Sequence, residues 1–527
     1  MRNTLYISAI FALLLNMVGC TSNFDSENTD PYGVTEEQAA IDFVNIGGYL
    51  TTMQKYIYNV TTGLQTEQNL TGDAFAQYMV PPTPFQSNRN NVTYNFVWYS
   101  QQWDITYSNE MSNLSLIVNK YNVDTEYPNF YAWGQVLKIF AMQRVTDNYG
   151  PIIYSDYGAE SAPYSYDSQK DVYYAFFDEL DAAIDTLTTY ADAGSTAFEK
   201  FDAAYGGDVA EWVKAANSLR LRLAMRLANV DPTKAQEEAE AAISQEYGVM
   251  ETNDDNFMVD LGSSVHPLWY FSDSWSDCRM CATVESIMGG YSDPRLPMYF
   301  ETATDGDLAD GTYKGIRQGI AIDSKSTYVD FSGISSTITG STTAQIMTAA
   351  EVSFLRAEGS LRGWSMGDLS AEEYYNQGIQ QSFEQYGLSS YSTYEDDETS
   401  TFADYVDPKN SDNSFSASSD ITIKWDASES NERNLERIIT QKWIALFPDG
   451  QEAWSEFRRT GYPKLLPVVV NYSSGKISTD EFVRRTPYPD AEYTSDAEGV
   501  AGGVTLLGGV DTGGTRVWWD TGTGTNF

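Results

Sequence analysis

WVKAANSLRLRLAMRLANVDP, from Trp212 to Pro232, is the stretch that decides the fold class. Counted from Val209, the apolar residues Trp212, Ala216, Leu219, Leu223 and Leu227 recur at steps of three and four, the period of a helix with one buried face. Asp231-Pro232 then reads as an N-cap followed by proline at the first helical position, opening an Ala-Glu-rich helix from Ala235 to Ile243. The same period extends outward in both directions. Towards the N-terminus it runs through Trp103, Tyr107, Met111, Leu114, Val118 and Tyr121. It returns in Phe130, Trp133, Leu137, Phe140 and Arg144, stopped by Asp147-Asn148-Tyr149-Gly150-Pro151, and in Tyr173, Phe176, Leu180, Ile184 and Leu187. Towards the C-terminus it appears in Ile346, Ala350, Phe354, Ala357 and Leu361, and in Tyr375, Ile379, Phe383 and Tyr386. Leu435, Ile439, Trp443 and Leu446 end at Pro448-Asp449-Gly450, before a last helix around Ala453 to Phe457.

These segments fall into antiparallel-looking pairs: 97–123 with 128–147, 167–190 with 208–229, 346–362 with 371–386, and 433–447 with 451–459. Stacked pairs bury their open faces on their neighbours, as in tetratricopeptide (TPR) arrays, although a strict 34-residue repeat is absent. The expected fold is therefore mostly α, a TPR-like scaffold of helical pairs over about 97–248, 344–386 and 431–460 within a domain spanning 36–527. Residues 249–340 and 388–430 are rich in Gly, Ser, Asp and Tyr without helical period, and 460–527 adds Pro and Gly doublets. They are read as a large, irregular, loop-rich lobe, where ligand loops are to be expected.

The chain opens on an address. Arg2 supplies a positive charge, Leu5 to Val18 is an apolar run too short to span a bilayer, and Gly19-Cys20 follows. Residues 1–19 are expected to be a signal peptide and Cys20, after Met17-Val18-Gly19, the lipidated residue of a loose lipobox. Residues 20–35, polar and acidic, then form a tether. No later stretch of 18 apolar residues occurs. Net charge is −42, from 32 basic and 74 acidic residues, which argues against nucleic acid and anionic lipid as partners and favours a neutral or cationic ligand. The unusual feature is aromatic content: 37 Tyr, 24 Phe and 12 Trp make up 14% of the residues. Most must fill the core. Tyr and Trp also offer flat apolar faces with a polar edge, suited to the C–H faces of sugar rings.

Several motifs together carry a resemblance. LTGDAFAQYM (Leu70 to Met79), YNFVWYSQQWDITYSNEMSNL (Tyr94 to Leu114), VTDNYGPIIYSD (Val145 to Asp156) and the Trp212 helix lie in the N-terminal half. AAEVSFLRAEGSLRGW, QKWIALFPDGQEAWSEFRRTGYPKL, RRTPYPDAEY and VWWD follow in the C-terminal half. In this order they resemble the SusD/RagB family of nutrient-binding outer-membrane lipoproteins, with Ile153 standing where the family usually has proline. The resemblance implies a TPR-containing helical scaffold, anchored to the outer membrane through its lipid and facing outward. It also implies a glycan ligand, or in some members a peptide-derived one, and a SusC-like TonB-dependent transporter as partner, with no cofactor.

Catalysis is not expected. So many carboxylates make acid pairs inevitable by chance, so a surface glycan hydrolase is the least favoured reading. The single His266 limits triads and excludes three-His zinc, and no G-x-S-x-G elbow occurs. Cys278 and Cys281 form a C-x-x-C, read as a local disulfide with two reduced thiols as the alternative. Asp305-Gly306-Asp307 with Asp310-Gly311 has a calcium-loop flavour, but Ile316 stands where a liganding Glu is required, so it is read as a solvated turn. Two stretches have the aromatic and amide or guanidinium chemistry of a glycan site. The first offers Phe75, Tyr78, Phe85, Asn88, Arg89 and Trp98; the second offers Trp269, Tyr270, Trp275, Arg279 and Tyr291. The competing reading is that these rings seal loops against the scaffold.

Overall fold

The computed structural model describes residues 36–85, 90–522 and 524–527. Cys20 and the expected signal and tether, together with Asn88 and Arg89, lie outside the described residues. Two compact units are distinguished, residues 1–48 and 49–527. The described part of the first holds the helix Glu36–Ala40 and the start of the helix Val44–Ile57. All the other described elements belong to the second.

The architecture is mostly α. Helix α1 (Pro128–Tyr149) begins with proline at its first turn, where the missing N–H costs nothing, and nearly every residue from Asn129 onward is buried. Helix α2 (Gln169–Asp192) is capped by Ser168, whose hydroxyl accepts from the Asp171 N–H. Helix α3 (Val209–Arg226) is capped by Asp208, and α4 (Pro232–Ser244) by Asp231 with Pro232 in its first turn, as the sequence predicts. Each of these four packs on the next, so they form a run of neighbours rather than separate pairs. Helices α5 (Ala349–Leu361) and α6 (Ala371–Glu384) do pair closely. The latter is opened by a capping box between Ser370 and Glu373, and α7 (Asn431–Leu446) packs on both.

The last expected pair is rearranged. Helix α8 (Gly450–Thr460) touches α7 but lies chiefly against Gln65–Asp73, a π-helical segment outside the expected helical pairs. Glycine permits this approach from both sides. A Cβ on Gly450 would come within 2.3 Å of the Asp73 Cα, and one on Gly72 within 2.9 Å of the Gln451 Cα.

The helix that decided the fold class also ties it together by charge. Arg222 and Arg226, one turn apart, are buried. Arg222 Nη2 meets Glu351 of α5 at 2.6 Å. Arg226 Nη2 meets Glu452 of α8 at 2.6 Å, and Arg226 Nε meets Asp147 of α1 at 3.4 Å. Arg459 closes the set on Glu358 at 2.6 Å and Glu456 at 2.7 Å, with Lys442 3.1 Å from Glu456. Burial alone would raise Glu456, but Arg459, Lys442 and Arg226 outweigh it and hold the carboxyl well below its ordinary value.

The lobe between α4 and α5 is irregular, as expected, but is pinned by two short antiparallel ladders. Strand β1 (Met79–Val80) pairs with β3 (Arg279–Met280), placing Met79 opposite Met280 and Val80 opposite Arg279. Strand β2 (Phe257–Asp260) pairs with β4 (Thr343–Met347), with an irregularity between Phe257 and Met258. No described helix is long and apolar enough to cross a membrane.

Candidate functional site

The β1–β3 ladder joins the two aromatic stretches singled out from sequence. Its strands are antiparallel, so the chain after Val80 and the chain before Arg279 emerge at the same end. There the Thr83 hydroxyl donates to the Asp277 carboxylate. Lys325 Nζ meets Asp277 at 2.7 Å and donates to the Trp275 carbonyl at 2.6 Å. Pro267 starts a short helix, Pro267–Trp269, capped by His266, whose Nδ1 accepts from the Leu268 N–H at 3.3 Å. Burial lowers His266 to about 4, which keeps this acceptor nitrogen unprotonated. The chain continues as a π-helical turn, Tyr270–Ser274, and closes through Trp275 N–H to the Tyr270 carbonyl (2.8 Å) and Asp277 N–H to the Phe271 carbonyl (2.7 Å).

This turn carries Trp269, Tyr270 and Trp275 in a row, with ring centroids 5.2 Å apart for Trp269–Tyr270 and 5.9 Å for Tyr270–Trp275. Across the ladder, Phe85 meets Trp98 edge to face at 5.5 Å. Of the protein's 12 tryptophans, the exposed ones are Trp98 (40%), Trp269 (38%) and Trp275 (38%), all within the two predicted stretches. Trp98 and Ser276 also adopt the left-handed backbone region, with φ of 51° and 53°, which costs a bulky residue free energy and is concentrated at functional sites.

Four of the predicted contacts belong instead to the interior. Phe75 is buried against Trp454 (5.0 Å) and Phe96 (5.9 Å). Tyr78 is buried against Trp443 (4.7 Å), and its hydroxyl donates to that residue's carbonyl. Tyr291 is buried and donates to the Ile421 carbonyl at 3.0 Å. Arg279 spends its guanidinium on the carbonyls of Val329 (2.6 Å), Ser272 (3.0 Å) and Cys278 (2.7 Å), clamping the aromatic turn from beneath. The three rings are packed internally, and Arg279 commits Nε and Nη1 to its own lobe, so these four serve the scaffold rather than an exposed ring platform.

The expected disulfide is also corrected: Cys278 and Cys281 are free, buried thiols. They bracket β3 at an odd spacing, which sends their side chains to opposite faces. Asn69 Nδ2 lies 3.8 Å from the Cys278 sulfur, whereas Cys281 contacts Thr283 Oγ1 at 3.7 Å. Burial pushes the thiols up to about 12 and about 11 respectively. In the acidic turn, Lys409 takes the position a cation would, with Nζ 2.7 Å from Asp305 and 2.9 Å from Asp307.

Sequence reasoning missed two cavities. One, of about 440 Å³, lies between the 94–99 segment and Tyr472, Tyr488 and Tyr493. The other, of about 630 Å³, is lined by Trp103, Tyr107 and Tyr157 together with Asp104, Glu492 and Asp496. Trp103 and Tyr107 were legible as a helix face, but nothing in the sequence signals that residues near 157 and 492 converge on them.

A family model described as SusD-like, "Susd and RagB outer membrane lipoprotein", matches residues 26–520. No curated protein matches the chain. Among solved structures, a SusD homologue of Flavobacterium johnsoniae described as chitin-binding is 47% identical, with a TM-score of 0.89 over 92% of this chain and 100% of its own. SusD homologues of Bacteroides vulgatus (39% identical, TM-score 0.87, 93% of this chain and 100% of that one) and Bacteroides uniformis (38%, 0.85, 90% and 99%) share the fold. Helical scaffold, motif order and these matches agree: the chain belongs to the SusD/RagB family of outer-membrane lipoproteins.

Proposed function

We propose that this protein captures an oligosaccharide or polysaccharide outside the cell and passes it, uncleaved, to a SusC-like TonB-dependent transporter. The observation that carries the reading is the exposure of Trp98, Trp269 and Trp275 at one end of the β1–β3 ladder. A protein gains roughly 25 cal/mol for each Å² of apolar surface it buries. Three half-exposed indoles are therefore surface left free for a partner, and sugar rings stack on such faces. The chitin-binding description of the 47% identical F. johnsoniae structure makes β-1,4-linked N-acetylglucosamine oligomers the first probe. A lipid anchor at Cys20 would keep the platform at the cell surface, within reach of a barrel in the same membrane.

Binding is tested by calorimetric titration of a glycan panel, followed by chromatography of the recovered ligand. Saturable binding with unchanged ligand is expected; product release would make the protein a hydrolase. Co-purification from native membranes tests the transporter, and mass spectrometry of the mature N-terminus tests acylation of Cys20. A second reading, capture of a cationic peptide or glycopeptide, is favoured by the net charge of −42. Binding of basic peptides in place of every glycan would establish it.

A further inference from the structure

The cavity of about 630 Å³ beside the Trp103 helix is separate from the exposed platform, none of whose rings lines it. Its wall is aromatic and fixed. Tyr107 stacks on Tyr157 at 5.7 Å with 23° between ring planes, meets Trp103 at 4.9 Å, and has its hydroxyl tied to the Ile153 carbonyl at 2.6 Å. Its charge is one-sided. Asp104, Glu492 and Asp496 line it, and no described Lys, Arg or His does. Asp496 is engaged with the N–H groups of Tyr164 (3.1 Å) and Gly499 (3.2 Å), and Glu492 accepts from Tyr166 at 3.4 Å. Partial desolvation at the cavity wall raises both Asp104 and Glu492, and Asp104 and Asp496 raise Glu492 further, as expected for like charges with no cation between them. A cavity combining carboxylates that no cation compensates with the half-buried rings of Tyr107 and Tyr157 selects an organic cation, through Coulomb attraction and cation–π contact together.

We propose that this cavity is a second binding site, for a sugar unit bearing a protonated amine, such as a glucosamine residue. The choice of a sugar over another amine rests on the glycan-capture reading above and on the serines Ser108, Ser112 and Ser115 in the cavity lining, which suit a ligand rich in hydroxyls. The volume suits one or two rings rather than a long chain. The platform would hold the polymer by its neutral faces, and the cavity would recognise free amino groups.

The test is titration of the purified protein with glucosamine hexamer and, in parallel, with its fully N-acetylated counterpart. Both are repeated on Asp104→Asn, Glu492→Gln and Trp275→Ala. The free-amine oligomer should lose about tenfold in affinity on either carboxylate substitution, while the acetylated oligomer should be unaffected by them and weakened by Trp275→Ala. Asp104 is exposed, so its substitution tests the site without a folding cost. Equal affinity of the free-amine oligomer for wild type, Asp104→Asn and Glu492→Gln would overturn the proposal. So would carboxylate-dependent binding of a lysine peptide by a protein that does not bind the glucosamine oligomer. Failure of the acetylated oligomer to bind, with these amine effects intact, would count against the platform alone.

Discussion

Trp98, Trp269 and Trp275 keep an exposure that the other tryptophans avoid, and each has a neighbouring ring, Phe85 or Tyr270, that fixes its edge. A ring stacked on a ligand contributes roughly 1–3 kcal/mol in the well-measured case of nucleic-acid bases. Trp275→Ala and Trp269→Ala should therefore each weaken glycan binding about 5- to 150-fold, with unchanged circular dichroism and Tm. A second residue-scale expectation concerns Glu67. Burial raises its carboxyl to about 8, against the lowering effects of its hydrogen bond from Asn59 (2.7 Å) and of Arg144. The folded state thus retains a proton that the unfolded chain releases above its ordinary value of 4.5, so this residue's contribution to stability declines as pH rises from about 4.5 to about 8. Glu67→Gln removes that decline, and the variant's advantage in urea midpoint over wild type should grow between pH 5 and pH 8. Composition showed that aromatics were in excess but not which were core. Tyr78 and Trp275 look equally suited to a ligand in sequence, and only the partners of Tyr78, distant in the chain, remove it from the surface.

At the scale of elements, the helical period located α1 to α7 because each buries a face whose spacing is local. The cap at Asp231, with Pro232 behind it, was legible for the same reason. The packing partner of α8 was not legible, since it depends on two glycines 378 positions apart in a chain where Gly is common. Gly450→Ala forces a Cβ against the Asp73 backbone and should destabilise the fold by about 1–3 kcal/mol, seen as a lower Tm, while Gly461→Ala, which has open space at its Cβ, tests backbone strain alone. The ion pairs of α3 were equally hidden, because the carboxylates that Arg222 and Arg226 meet lie on other helices, far along the chain. Arg226→Met should cost about 3–5 kcal/mol by leaving Glu452 buried without its close ion-pair partner.

For the whole molecule, the scaffold's role is to hold an irregular lobe in one arrangement, and the β1–β3 ladder is the junction where lobe and N-terminal segment present their rings together. The charge of −42 keeps such a surface soluble and repels polyanions while leaving neutral sugars free to approach. Glycan capture requires that those rings hold a sugar. The direct measurement is calorimetric titration of a glycan panel that includes N-acetylglucosamine oligomers into wild type and into a Trp98→Ala, Trp269→Ala, Trp275→Ala triple variant. Saturable binding by wild type, lost by at least about a hundredfold in a triple variant of unchanged Tm, is the predicted result. A triple variant that binds the same glycan as tightly as wild type, or a wild type that binds no glycan, would contradict it.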